Sequence, residues 1–306
     1  MLAPDGTSWA RDAKAWARDI ESASGGRLGV HLYFGGITGD DVEVEKRLHK
    51  EQLDGALSGG IMCQNVAPSL RVMRIPGMIQ DLDEGNFVLT RLFSTLRAEA
   101  RSRGFQLLVF TWLGRDVVLS RTPIDSMDAL RRLRLWQWSL EPALTAYTRA
   151  MGLHVVPLAI GDAGRAYEDG RLDGYVAIPA AILAFQWYAR RMYLARLPFS
   201  PVIGCLVMSA AAFDRLPMDL RDIFAGESAR SALRFTETAR AQEAQLLDRG
   251  LFVKQGMTMT PVPMILRAQF LDAARAARDK VGASIVPAEL LIKVQAWLAD
   301  YRNEHR

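Results

Sequence analysis

The feature that most constrains the fold is a repeated alternation of short apolar runs with amphipathic segments. A helix is predicted to begin at Thr7 or Ser8, which carry N-cap hydroxyls, and to end at Gly25-Gly26. Leu28–Phe34 then predicts a strand, and Phe105–Trp112 is apolar except for Gln106 and Thr111, as in a strand buried on both faces. Strands that alternate with helices favour an α/β fold, and here we expect a mainly parallel sheet.

The predicted strand Leu133–Trp138 concentrates bulky side chains on one face. Arg134, Trp136 and Trp138 alternate along it and therefore point to the same side. The sequence Ser-Leu-Glu-Pro at 139–142 follows directly and indicates the start of a helix. Ligands of open α/β sheets bind at the carboxyl ends of strands, so both indoles are candidate ligand contacts. The alternative is that both are core residues, because large aromatic side chains mostly fill cores.

Length and charge exclude several classes of protein. The chain has 306 residues, half of them hydrophobic, which is enough for two cores. Its net charge of +4 is spread along the chain without a long basic run, so no nucleic-acid partner is expected. No apolar run is long enough to span a membrane. The first four residues, Met-Leu-Ala-Pro, read as a mature start after removal of a signal peptide.

Motifs for metal, cofactor or covalent chemistry are absent from the sequence. Cys63 and Cys205 lie in unrelated contexts, so buried free thiols are expected, and neither a disulfide nor a metal site. No histidine has metal-ligand spacing, and there is no GxSxG, P-loop or GxGxxG motif. We therefore predict no cofactor and no enzymatic activity.

Two further patterns indicate two similar lobes. A charged helix followed by Leu-Asp-Gly and a strand occurs at 46–57 and again at 165–177. The strands Arg115–Ser120 and Val202–Ser209 are placed to cross between lobes, and Leu220–Arg249 predicts one very long helix. Hinged lobes close around small molecules, which favours a binding protein.

An ordered set of motifs resembles the solute-binding proteins of tripartite ATP-independent periplasmic (TRAP) transporters, the DctP-type family. The motifs are SGGRLGVHLYFGGITGDD at 24–41, QLDGAL at 52–57, RIPGMIQDLDE at 74–84, SRTPIDSMDALRRLRLW at 120–136, AMGLHVVPL at 150–158, GRLDG at 170–174 and FQWYARRMYL at 185–194. The resemblance implies an α/β, two-lobe, periplasmic-binding-protein-like clamshell with crossing hinge strands and a long lobe-spanning helix. It implies lobe I at residues 1–115 plus 210–252 and lobe II at residues 116–209 plus 253–306.

One departure from the family pattern affects the expected ligand. Relatives place an arginine for the ligand carboxylate where this chain aligns Trp136, which makes it an atypical member. An arginine gives bidentate, charge-assisted bonds, whereas an indole offers one N–H and a large apolar face. Arg134 could substitute, although it aligns with a position that is usually an exposed lysine.

The resemblance and this departure together predict an apolar or amphipathic ligand in the cleft between the lobes. Arg115 aligns with a second family arginine, so the alternative is a small organic carboxylate anchored by Arg115; a plain salt bridge is equally compatible. The candidate ligand-binding residues are Trp9, Ser58, Gly59, Arg115, Trp136, Trp138, Tyr175, Pro179 and Trp187.

The resemblance also implies partners and a compartment. We expect a periplasmic receptor that delivers its ligand to TRAP membrane permease subunits, with a tetratricopeptide-repeat periplasmic partner as a further expectation. Whether a lipid anchor holds it stays open. An enzyme on the same fold, or a sensor without a small ligand, are the competing interpretations.

Overall fold

A computed structural model describes residues 1–190 and 192–305. Its α-helices are α1 (Ser8–Ala23), α2 (Asp41–His49), α3 (Ile61–Val66), α4 (Leu82–Ser102), α5 (Met127–Arg132), α6 (Pro142–Ala150), α7 (Ala163–Glu168), α8 (Pro179–Ala184), α9 (Ala210–Arg215), α10 (Met218–Leu247), α11 (Leu251–Lys254), α12 (Met264–Ile285) and α13 (Ala288–Glu304). Its strands are β1 (Gly55–Ser58), β2 (Phe105–Arg115), β3 (Val117–Ser120), β4 (Leu135–Trp138), β5 (Val155–Leu158), β6 (Gly174–Ala177), β7 (Tyr193–Ala195), β8 (Pro201–Ser209) and β9 (Thr258–Thr260). Short 3-10 segments lie at Pro68–Arg74, Ile160–Asp162 and Trp187–Arg190.

The chain divides into two compact units. Unit 1 comprises Met1–Leu70, Leu92–Leu113 and Ile203–Gln242, and unit 2 comprises Arg71–Arg91, Gly114–Val202 and Glu243–Arg306. The chain passes from one unit to the other within β2, β8 and α10, among other places. The predicted lobe boundaries stay a prediction. The compact units differ from them at residues 71–91, 114–115, 203–209 and 243–252.

Unit 1 is built on the sheet β1-β8-β2, in which β1 runs antiparallel to β8. The predicted first helix is confirmed as α1, and the hydroxyl of Thr7 caps it. Trp16 on the buried stripe of α1 donates a hydrogen bond of 3.2 Å to the hydroxyl of Ser228 on α10. Its ring meets the ring of Phe224 edge-on at 5.6 Å. The amphipathic stripe of α1 therefore packs into the core of unit 1, as its periodicity predicts.

The predicted strand Leu28–Phe34 does not pair as a strand among the described residues. Its side chains nevertheless alternate strictly, with Leu28, Val30, Leu32 and Phe34 half-buried and the residues between them exposed. The predicted alternation of side chains is confirmed, but a β-strand also requires a neighbouring strand to which its backbone groups can hydrogen-bond.

The expectation of two free thiols is wrong. Cys63 and Cys205 form a disulfide with a Cα–Cα distance of 5.8 Å across a sequence separation of 142 residues. Cys63 lies on α3 and Cys205 on β8, and both side chains are buried within unit 1. Spacing rules failed because the two residues meet only through the tertiary fold.

Unit 2 is built on the sheet β5-β4-β6-β3-β7-β9. β4 runs parallel to both β5 and β6, and β7 runs parallel to β9, but β3 is antiparallel to β6 and to β7. The expected mainly parallel sheet is thus a mixed sheet. The predicted crossing segment Arg115–Ser120 supplies β3, which is the strand that reverses direction.

Helices cover both faces of the unit 2 sheet and form two separate cores. Leu135 of β4 and Val118 of β3 belong to one core, with apolar residues of α5, α6 and α12. Trp136 of β4 and Leu119 of β3 belong to the other, with residues of α7 and α8. Because alternate residues of a strand point to opposite faces, each strand contributes to both cores. In neither unit is a described helix long and apolar enough to cross a bilayer.

Candidate functional site

The aromatic residues predicted to contact a ligand form a stacked cluster inside unit 2. The rings of Tyr175 and Trp187 stack at 4.5 Å with an interplanar angle of 7°. Trp136 meets Trp187 at 5.1 Å and Tyr175 at 6.3 Å, in both cases edge-on. The three side chains belong to one buried core, together with residues of α7 and α8.

Trp136 is packed away within its own unit. Only 4% of the surface of Trp136 is exposed, and its Nε1 donates a hydrogen bond to the carbonyl oxygen of Leu158 at 3.1 Å. The one polar group of the indole is therefore satisfied by the neighbouring strand β5, so none is left for a ligand. The shared face of Trp136 and Trp138 was predicted correctly, but that face is covered by helices.

The remaining aromatic candidates in unit 2 have the same character. Tyr175 is fully buried, and burial raises the pKa of its hydroxyl well above the ordinary value of 10.0. Pro179 is buried at the first position of α8, where its fixed backbone angle suits a helix start. Trp138 is half-buried at the margin of the cluster. Of this set, Trp138 alone keeps substantial exposure.

Arg134 does not replace the missing family arginine. Its Nε and Nη2 donate to the two carboxylate oxygens of Asp173 at 2.8 Å each. These bonds hold the pKa of Asp173 below its usual value of 3.8. This bidentate ion pair occupies the guanidinium group of Arg134. The side chain therefore links the starts of β4 and β6 and stabilises the sheet.

Arg115 is the candidate with unused binding capacity. Its Nη1 donates to the carbonyl oxygens of Ile79 and Phe199, both at 2.8 Å. Its Nη2 is buried and meets no hydrogen-bond acceptor within the described ranges 1–190 and 192–305. A buried donor without an acceptor costs about 1–3 kcal/mol, so this nitrogen is poised to gain from an anionic ligand.

A cavity of about 300 Å³ in unit 2 includes Arg115 in its wall. Two more arginines, Arg196 and Arg267, line it with the carboxyl group of Glu243. Burial raises the pKa of Glu243 above its ordinary value of 4.5, against the opposing effect of Arg115. Arg196 is paired with Asp248 at 2.6 Å. With Arg115 and Arg267 against Glu243, the charged groups of the wall still carry a positive excess, which a small anion would balance.

Sequence reasoning missed a buried ionic network next to Arg115. The guanidinium of Arg74 lies 3.0 Å from Asp116 and 3.1 Å from Glu141, and all three side chains are almost fully buried. Arg74 also donates to the carbonyl oxygen of Pro201 at 2.9 Å. Burial raises the pKa of Asp116, and the neighbouring carboxylate of Glu141 raises it further, against the opposing effect of Arg74. The sequence signal for this network is Arg74, a charged residue inside the otherwise apolar run Val72–Ile79.

Three candidate ligand-binding residues, Ser58, Gly59 and Trp9, lie in unit 1. The hydroxyl of Ser58 is buried and donates to Oδ2 of Asp41 at 2.7 Å, so it supports the β1 end of the sheet. Gly59 is exposed directly after it. Trp9 is half-buried on α1, and its Nε1 is shielded without an acceptor in the part of the chain that the structure describes. No group of metal-ligating side chains occurs among the described residues.

Three solved structures share the fold of this chain. The structure resembles DctP7 of Bordetella pertussis, an extracytoplasmic solute receptor binding pyroglutamic acid, with a TM-score of 0.86 and 18% identity over 96% of this chain and 97% of that one. It resembles a TRAP periplasmic solute-binding protein of Desulfovibrio desulfuricans with bound sn-glycerol-3-phosphate, with a TM-score of 0.89 and 16% identity over 98% and 95%. It also resembles one of Haemophilus influenzae with bound L-gulonate, with a TM-score of 0.88 and 17% identity over 98% and 97%.

Sequence comparison identifies the family. Residues 1–284 match the family model DctP, described as bacterial extracellular solute-binding protein, family 7. A solute-binding protein of Sulfitobacter sp. (strain NAS-14.1) is 26% identical over 242 residues, which are 75% of this chain and 69% of that protein. The chain belongs to the DctP family of bacterial extracellular solute-binding proteins.

Membership confirms several predictions made from the motifs. The resemblance to this family and the two-lobe α/β fold class are confirmed. The chain is an extracytoplasmic receptor for a small-molecule solute, of the kind that works with membrane permease subunits, and it is not an enzyme.

Proposed function

We propose that the solute of this receptor is a small organic anion and that Arg115 is its charged anchor. The observation that carries the proposal is the buried Nη2 of Arg115, which finds no acceptor among the described residues. The other guanidinium nitrogen, Nη1, is fixed by the carbonyl oxygens of Ile79 and Phe199. A guanidinium that is held on one side and unsatisfied on the other is preorganised for a carboxylate.

The composition of the surrounding cavity supports an anion. Arg115, Arg196 and Arg267 outnumber the two carboxylates that they meet there, Glu243 in the wall and Asp248, the ion-pair partner of Arg196. A volume of about 300 Å³ lies at the small end of ligand pockets, which suits a compact solute. Proteins with the same fold bind pyroglutamic acid, L-gulonate and sn-glycerol-3-phosphate, all of which are acids.

An apolar or amphipathic solute has less support. That hypothesis required the indole of Trp136 to face the ligand, whereas the side chain is buried in its own core and its N–H is used by Leu158. We therefore favour the carboxylate alternative. The tetratricopeptide-repeat partner and the lipid anchor stay predictions from the resemblance.

Titration calorimetry with a panel of small organic acids, each paired with its uncharged amide or alcohol, would test the proposal. We expect binding of at least one acid and none of its neutral analogue. Arg115→Ala should weaken that binding about 10- to 150-fold, because a hydrogen bond to a charged group contributes about 1.5–3 kcal/mol. Arg131→Ala, on the exposed end of α5, is the matched control and should change affinity little.

Two further variants keep the test decisive if Arg115→Ala folds poorly. Glu243→Gln removes the competing carboxylate and should tighten anion binding, and Arg196→Ala should weaken it. If instead a neutral or apolar compound binds best, or if Arg115→Ala and Arg131→Ala weaken acid binding equally, the proposal is wrong.

A further inference from the structure

A buried guanidinium in unit 2, that of Arg74, lies beside the residues that hold Arg115. Arg74 donates from Nη1 to the carbonyl oxygen of Pro201 at 2.9 Å and from Nε to Glu141 at 3.1 Å. Its side chain is almost fully buried, and it does not line the cavity that includes Arg115. Arg74 therefore supports the cavity from behind and does not form part of its wall.

Two pieces of chain carry the acceptors that fix Arg115, and Arg74 joins them. The carbonyl oxygens of residues 199–201 accept one hydrogen bond each, from Nη1 of Arg115, the amide of Asp116 and Nη1 of Arg74, in that order. The second acceptor of Arg115 is the carbonyl oxygen of Ile79, which lies on the same piece of unit 2 as Arg74. Because a guanidinium is a rigid fork, acceptors fixed on one nitrogen determine where the other nitrogen points.

The carboxylates around Arg74 are potential competitors for Arg115. Asp116 directly follows Arg115 in the sequence, and its Oδ2 lies 3.0 Å from Nη1 of Arg74 without an aligned hydrogen bond. Asp116 and Glu141 are almost fully buried, so water screens their charges poorly. Arg115 is a second cation that acts on Asp116. If Arg74 were absent, Asp116 would therefore attract Arg115 instead.

Such an attraction would remove the binding capacity of Arg115. Its Nη2 is a buried donor without an acceptor among the described residues, and a buried carboxylate that loses its cation needs a new partner. The two groups lie on adjacent residues and would satisfy each other. A guanidinium turned in this way cannot bind a solute, and the apparent dissociation constant rises in proportion as the competent fraction falls.

We propose that Arg74 is a positioning residue for the solute anchor: it occupies Asp116 and Glu141, so that Nη2 of Arg115 stays free for the solute. The inference rests on the proposed function, because it takes Arg115 as the anchor. Arg74 acts through Arg115 and does not touch the solute. This role gives a reason for a buried ionic network, which for stability alone is often no better than apolar residues of similar volume.

Two variants that differ only at Asp116 test the proposal by calorimetry, with the small organic acid that binds the parent protein most tightly as the probe. Arg74→Met/Glu141→Gln leaves Asp116 as the one carboxylate of the network. It should bind the acid about tenfold or more weakly, which corresponds to capture of Arg115 in about nine-tenths of the molecules. Adding Asp116→Asn removes the competitor and should recover or exceed the parent affinity.

Arg134→Met is the matched control, since it takes an arginine from another carboxylate of unit 2, Asp173. It should lower stability and leave the affinity for the acid within about threefold of the parent value. The proposal is overturned if Arg74→Met/Glu141→Gln binds as tightly as the parent, if adding Asp116→Asn recovers nothing, or if Arg134→Met weakens binding equally.

Crystal structures determined without any solute separate this inference from the proposed function. In Arg74→Met/Glu141→Gln, Nη2 of Arg115 should lie within hydrogen-bond distance of the Asp116 carboxylate, and adding Asp116→Asn should return it to its parent orientation. An Arg115 that keeps its parent orientation in both variants refutes the positioning role, even if acids bind. An Arg115 that turns to Asp116 supports the positioning role, even if no acid binds the parent protein and the proposed function fails.

Discussion

Loss of the Cys63–Cys205 disulfide should strongly destabilise unit 1. The bond closes a loop of 142 residues in sequence separation, for which the chain-entropy relation gives about 5 kcal/mol. Measured disulfide contributions are typically 2–4 kcal/mol, so we expect a loss of about 3–5 kcal/mol in Cys63→Ala/Cys205→Ala. Because both sites are buried, paired alanines avoid new unsatisfied polar groups.

Urea denaturation followed by circular dichroism measures this loss. The double variant should unfold at lower urea, and its dependence on urea should steepen because the unfolded chain is no longer crosslinked. Parent protein in strong reductant should shift toward the double variant, whereas reductant should leave the variant unchanged. A parent protein that releases two thiols on unfolding without reductant, or a double variant within about 1 kcal/mol of the parent, would refute this reasoning.

Two further predictions concern unit 2. Trp136→Ala should cost about 3–5 kcal/mol of unfolding free energy, as expected for a fully packed indole, while Trp138→Ala at the cluster margin should cost clearly less; equal losses would contradict the burial of Trp136. Arg134→Ala should lower stability at neutral pH, because Arg134 holds the pKa of Asp173 below its unfolded value of 3.8. That contribution is present above the unfolded pKa and is lost as the pH falls through the folded one, so urea midpoints of variant and parent should converge below about pH 4. A difference that stays constant down to acid pH would argue against the pair.

Local patterns predicted much of the fold because they report on single elements. The cap at Thr7 and the apolar stripe of α1 placed the first helix to within a residue. The mostly apolar run after Gly104 placed β2, although the strand continues to Arg115. Such signals depend on residues that are close in sequence, and local geometry responds to them directly.

The candidate site was harder to predict because it depends on which faces are covered. Periodicity showed that Trp136 and Trp138 share a face, but it could not show that α7 and α8 lie over that face. Cys63 and Cys205 meet across 142 residues of sequence, a distance over which spacing rules carry no information. Arg115 was found only through the family resemblance, and its unsatisfied nitrogen became visible only in three dimensions.

The strand β3 shows why insertions in the centre of unit 2 should be rare. Val117 and Leu119 pack into one core, and Val118 packs into the other. Adding or deleting one residue here would exchange the side chains of both cores at once, and the paired positions on β6 and β7 would lose their partners as well. Length differences among relatives of this protein should therefore accumulate in connecting loops, while this four-residue segment keeps its length.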